Sequence, residues 1–114
     1  MIVFRSFLVL FLVALSGYTA LVIADHGWNL LAVFFGDLTA VNWPGQFNFD
    51  FMGFLALSAL WTGWRHHFSP SGLALGFIAF FGGMIFLAIY LLIASYQVKG
   101  DIRALLLGPR RAEA

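Results

Sequence analysis

The chain has 114 residues, 62% hydrophobic and 10% charged, with a formal net charge of +1 and no cysteine. A water-soluble domain runs nearer half apolar and a quarter charged, and a chain this short has too little interior to hide the excess, so lipid must solvate much of it. The balance excludes a nucleic-acid-binding module, a disordered tail and a soluble enzyme. The missing cysteines exclude disulfides, thiolate metal sites and cysteine nucleophiles.

Residues 6–24 carry no ionised group, which predicts a first transmembrane helix over about residues 4–24. Asp25-His26-Gly27 ends it. The run is longer than the apolar region of a secretory signal, about 7–15 residues, so it reads as an uncleaved anchor.

Residues 28–40 are apolar but too short to span. Trp28, Leu31, Phe35 and Leu38 share one helical stripe, which predicts a short interfacial or re-entrant helix. A broken fourth span through Val41 is the alternative.

Pro44-Gly45 reads as a break, with Asn48 or Asp50 capping a second span over about residues 47–64. Arg65-His66-His67 closes it as a solvated helix end, with contact to anionic lipid headgroups as the functional alternative. Ser69-Pro70-Ser71-Gly72 is a capping sequence for a third span over about residues 72–97, followed by a polar tail, 98–114. The fold expectation is one all-α membrane domain of three transmembrane helices plus the short helix.

Three spans place Asp25, His26, Asp37, Asn48, Asp50, Lys99, Asp101 and Arg103 on one side, and Arg5, Arg65, His66 and His67 on the other. The excess of Lys and Arg in the tail then makes the carboxyl terminus cytoplasmic, whereas Arg5 ahead of the first span favours a cytoplasmic amino terminus. The two cues conflict.

Small residues recur at helical spacing: Gly53, Ala56, Ala59 and Gly63 in the second span, and Gly72, Gly76, Ala79 and Gly83 in the third. Such stripes let helix backbones approach, so these spans are expected to form an antiparallel hairpin. The span interiors lack ionisable groups, which argues against a proton relay or bundle-bound haem. No nucleophile–base pair, phosphate loop or metal-ligand spacing is present, so neither catalysis nor a cofactor is expected.

Asp50, about one turn inside the second span, is the leading polar site residue, with Asn48 beside it and Lys99 or Arg103 as its cationic partner. A carboxylate merely stabilised by the helix amino terminus is the competing reading.

The run Asp37-Leu38, then Trp43-Pro44-Gly45-Gln46-Phe47-Asn48-Phe49-Asp50-Phe51, then a span ending Trp61-Thr62-Gly63-Trp64-Arg65, resembles small uncharacterised bacterial inner-membrane proteins of three or four spans. The resemblance covers about residues 35–105. It implies a bacterial inner-membrane location and brings no activity, cofactor or site residue. The expected role is that of a structural or accessory membrane protein, packing in the bilayer against itself or a larger membrane complex, with no nucleic-acid partner. The alternative is an oligomeric small transporter or channel.

Overall fold

A computed structural model describes residues 1–113, which are helical and contain no strand. The order is α1 (Ile2–His26), α2 (Leu30–Ala40), α3 (Trp43–Arg65), α4 (Pro70–Gln97), α5 (Ile102–Leu107) and α6 (Pro109–Ala112). Two of these, α1 and α4 counted end to end, have the length and apolar composition of a membrane span. The 23 residues of α3 are sufficient in length, about 34 Å, but Asn48 and Asp50 make it less apolar.

Apolar surface faces outward. Among the described residues the buried hydrophobic side chains are Leu8, Ala79, Ala88, Ala94 and Leu105, while Leu10, Tyr18, Leu21, Phe54 and Leu57 are exposed. The accessible area is 7928 Å². A compact soluble monomer of this mass exposes about 6200 Å². The radius of gyration, 16.0 Å, likewise exceeds the roughly 13 Å of a compact 114-residue domain.

The start of α3 differs from the sequence expectation of a span opening near residue 47. Pro44 does not break the chain; it occupies the first turn, where its missing N–H costs nothing. The cap is Asn42, whose side chain accepts from the Gly45 amide at 2.9 Å, and neither Asn48 nor Asp50 has that role. Asp50 therefore lies seven residues beyond Trp43, about two turns in. Asn48 ties α3 to α2 instead, its Nδ2 donating to the Phe34 carbonyl at 3.1 Å. A Cβ on Gly45 would collide with the Asp37 carbonyl, so this glycine sets the close α2–α3 approach.

The larger correction concerns the third span. Ser69 caps α4 by accepting from the Gly72 amide at 3.1 Å, and Pro70 fills the first turn. The helix then folds back on itself at Gly82-Gly83. Gly83 has φ 57° and ψ −141°, a conformation open essentially to glycine alone. A Cβ on Gly82 would overlap the Cβ of Phe86, so the turn requires both glycines.

The contacts trace the reversal. Gly72 lies against Gly63 and His66, Gly76 against Ala59, and Gly83 against Phe51 and Leu55, so the first arm runs antiparallel to α3. Tyr90 then lies 2.6 Å from His66. In a straight helix Tyr90 would be about 30 Å beyond Pro70. Residues 70–82 and 84–97 are thus the two arms of a hairpin, each about 20 Å long and shorter than a hydrocarbon core of about 30 Å.

The reversal changes which small residues pack. A Cβ on Gly76 would lie 3.0 Å from the Ala59 carbonyl, and one on Gly72 2.7 Å from His66 Cβ. Gly53 and Ala56 are exposed and outside the interface, and Gly83 belongs to the turn.

It also changes the sides. The second arm of α4 ends beside the amino terminus of α1, with Gly100 against Met1. The tail continues onto the carboxyl end of α3, so it is a docked pair of short helices rather than a polar extension. Arg5, Arg65, Lys99, Arg103, Arg110 and Arg111 share one end of the molecule, and Asp25, Asp37 and Asp50 lie toward the other. Lys99 and Arg103 are consequently not partners of Asp50. About 22 Å of α3 separates Asp50 from Arg65, where the tail is held.

Candidate functional site

The polar structure of the molecule is concentrated at the basic end. Arg65 is the last residue of α3 and is only 5% exposed, which overturns the expectation of a solvated helix end. Its guanidinium spreads over three acceptors: Nε donates to the Leu105 carbonyl at 2.7 Å, Nη1 to the Tyr90 hydroxyl at 3.0 Å and Nη2 to the Ala104 carbonyl at 3.5 Å.

The local reason lies in the tail. Asp101 caps α5 by accepting from the Arg103 and Ala104 amides. A short helix leaves its last carbonyls without partners. The Leu105 carbonyl would ordinarily receive the amide four residues on, but that residue is Pro109, which has no N–H. Arg65 Nε supplies the missing donor. One turn back on the same face of α3, Trp61 Nε1 donates to the Leu106 carbonyl at 2.9 Å. Gly108, at φ 86°, lets the chain pass, since a Cβ there would lie 2.9 Å from the Arg65 carbonyl.

Two further arginines act at the same end. Arg111 donates to the Trp64 carbonyl and lies 3.9 Å over the Trp64 ring. Arg5 donates from Nε to Ser95 Oγ and from Nη2 to the Ser95 carbonyl, each at 3.0 Å, and lies 3.9 Å over the Tyr96 ring. Each of these three arginines joins two elements by pairing a carbonyl with an aromatic face, the Arg65–Tyr90 stack being longer at 5.7 Å. A cation at the carboxyl end of a helix is favoured by the helix dipole, and Arg65 has that advantage in α3.

Tyr90 is the hub. Its hydroxyl meets Arg65 and His66, its ring stacks on Phe86 at 5.7 Å and meets the edge of Trp61 at 5.8 Å. His66 is held below its ordinary pKa, first by burial and then by the neighbouring positive charges of Arg65 and His67. The neutral imidazole is the form that can share a hydrogen bond with the tyrosine in either direction.

Asp50 is in a different setting. It is exposed beside Asn42, Gln46 and Leu38 in the open elbow between α2 and α3. Buried polar side chains occur among the described residues at Thr62, Arg65 and Ser95. Thr62 returns its hydroxyl to the Ser58 carbonyl, and Ser95 Oγ donates to Leu92 while accepting from Arg5. Among the described residues, only Ser58 Oγ is buried without a partner. The arginines at the basic end fasten helices and gather positive charge there.

Sequence reasoning singled out Asp50, Asn48, Lys99 and Arg103, and the structure brings Lys99 and Arg103 together with Arg65, apart from Asp50. Arg65 was read as part of a solvated helix end, and the other residues that organise this end, Arg5, Trp61, Tyr90, Ser95 and Arg111, were not singled out. A signal existed: Trp61 and Arg65, two donors one turn apart, precede a tail whose Gly108-Pro109 leaves a carbonyl without its amide.

No protein-family model, curated protein or solved structure matches the chain.

Proposed function

We propose that the protein is a small integral membrane protein with an accessory, structural role, with α1 and α3 crossing the bilayer and the α4 hairpin entering and leaving from one face. The observation that carries the reading is the outward-facing apolar surface of α1 and α3, joined to a polar inventory spent almost wholly on fastening helices at one end. A side chain such as Leu10, at 71% exposure, is accommodated in lipid or against another membrane helix.

This arrangement removes the conflict between orientation cues. With α4 folded back, Arg5, Arg65 and the tail cations lie on the same face, and the rule that Lys and Arg favour the cytoplasmic side puts both termini there. The resemblance to small bacterial inner-membrane proteins suits that location. The exposed faces of α1 and α2 are the surfaces offered to a larger membrane complex or a second copy.

The test is alkaline carbonate washing followed by mild detergent extraction and co-purification. Retention in the membrane pellet with a stoichiometric larger partner supports the accessory role. Release of a folded monomer into the soluble fraction overturns the membrane reading. A homo-oligomer with no other partner shifts the function toward a small transporter or channel.

A further inference from the structure

Among the described residues, the hydrogen bonds that join the return arm of α4 to the end of α3 meet at one hydroxyl. Tyr90 Oη accepts from Arg65 Nη1 at 3.0 Å and lies 2.6 Å from His66 Nε2. Toward Gly83 the arm does not lie flush: an apolar groove between Leu55 of α3 and Met84 and Leu91 of the arm separates them. Arg65 cannot change its part, since a guanidinium only donates and its Nε and Nη2 are placed on the Leu105 and Ala104 carbonyls. A tyrosine hydroxyl has a single proton. With Arg65 donating to it, Tyr90 gives that proton to His66, whose neutral ring accepts it at Nε2.

The backbone of His66 is pinned where it stands. Its amide donates to the Gly63 carbonyl at 3.2 Å, its carbonyl accepts from the Ser69 amide at 3.1 Å, and Gly72 packs against its Cβ. The charges that bear on it are those of Arg65 and His67 beside it in the chain, and Arg110 and Arg111 of the tail bear in turn on His67. The first arm of α4 has no titratable side chain, and the return arm has Tyr90 and Tyr96. From α1 comes Arg5, engaged with Ser95 and Tyr96. The tail adds Lys99 and Arg103, with two carboxylates, Asp101, which caps α5, and Glu113. A proton on His66 therefore places a cation among cations.

We propose that Arg65, Tyr90 and His66 form a proton-operated latch, which holds the return arm of α4 to α3 while His66 is neutral and releases it when His66 takes a proton. With the ring neutral, every polar atom at the junction has its complement. A proton on Nε2 turns that nitrogen into a donor. The hydroxyl then faces two cationic donors, and its own proton has lost its acceptor. The arm parts from α3 at Tyr90 and turns about Gly82-Gly83. Arg5 keeps it on α1 through Ser95, because a guanidinium stays charged throughout this range. The latch requires the folded-back α4 and does not depend on what surrounds the chain.

The test measures distances in the detergent-purified full chain by pulsed electron spin resonance. The chain has no cysteine, so nitroxides at Leu60→Cys and Ile93→Cys, both exposed positions, report across the α3–return arm seam. Two further pairs, Leu60→Cys with Phe77→Cys and Leu10→Cys with Ile93→Cys, report on the first arm and on α1. Between about pH 7.5 and 5.0 a second, longer Leu60–Ile93 distance is expected, its ratio to the first rising by up to about tenfold per pH unit below 6.5, the limit for one proton. The other two pairs are expected to keep their distances. His66→Gln removes the pH dependence, and His67→Gln, whose ring is exposed, preserves it. Tyr90→Phe, which deletes the hydroxyl and keeps the ring, brings the ratios at the two pH values to within about twofold of each other, and serves where His66→Gln does not fold. A Leu60–Ile93 distribution in the parent that does not change with pH overturns the latch. So does a pH dependence that survives His66→Gln or Tyr90→Phe, one that is lost in His67→Gln, or an equal change in all three pairs.

Discussion

Replacing Arg65 by Met removes the guanidinium while keeping most of its apolar stem. Three acceptors lose a donor, but unequally. The Ala104 carbonyl still receives the Gly108 amide at 2.9 Å, and the Tyr90 hydroxyl still meets His66. The Leu105 carbonyl is left with nothing, because Pro109 cannot donate. One orphaned carbonyl costs about 1–3 kcal/mol, and a lost hydrogen bond from a charged group about 1.5–3 kcal/mol, partly offset because a buried charge no longer needs desolvation. The net expectation is about 2–4 kcal/mol, confined to tail docking. The assay is amide hydrogen exchange in detergent or nanodiscs. Leu105, Gly108 and Ala112 amides should exchange about 30- to 1000-fold faster in Arg65→Met, while the first arm of α4 is unchanged. Arg65→Lys should fall between, since an ammonium cannot fork to three acceptors. Tail exchange within about twofold of the parent would refute the reasoning, because an undocked tail opens in proportion to its lost stability.

Gly76→Ala should destabilise the chain by more than about 1 kcal/mol, since the new Cβ meets the Ala59 carbonyl at 3.0 Å; Gly53→Ala and Gly17→Ala, with nothing within 4 Å, should be neutral or slightly stabilising in a detergent melt. Gly83→Ala should cost about 1–3 kcal/mol from its backbone conformation, read by the same melt. Asp50→Asn should change stability by less than about 1 kcal/mol, and adding Lys99→Gln or Arg103→Gln should leave that difference unaltered, because the groups occupy opposite ends. His66 is lowered in the folded chain, so its contribution is intact above the ordinary histidine pKa of about 6.5 and is lost as pH falls through that value toward the folded one. The protection of the tail amides, after correction for the intrinsic pH dependence of exchange, should therefore fall on going from pH 7 toward 5, and His66→Gln should flatten that profile.

How much was legible differs from one element to the next. The extent of α1 follows from a charge-free run, and the start of α4 from Ser69-Pro70, because both signals are local. The start of α3 was misplaced because Pro44-Gly45 fits a turn and a first helical turn equally well; the Asn42 side chain decides between them. The fold-back was missed because Gly82-Gly83 lies in an apolar run where glycine also serves helix packing, and the sign of φ is not written in the sequence. The remaining errors descend from that one. A straight α4 carries the tail to the Asp50 end, leaves Arg65 facing water and makes Lys99 a neighbour of Asp50. Once the helix reverses, the same residues form the Arg65–Tyr90 clamp.

The reversal of α4 is therefore the claim to test most directly, and the absence of cysteine makes the chain a ready background. Single cysteines at Ser71, His26 and Glu113 would be labelled from each face of sealed membrane vesicles with an impermeant maleimide. With α4 folded back, Ser71 and Glu113 label from the same face and His26 from the opposite one. Labelling of Ser71 and Glu113 from opposite faces would make α4 a straight span and contradict the account.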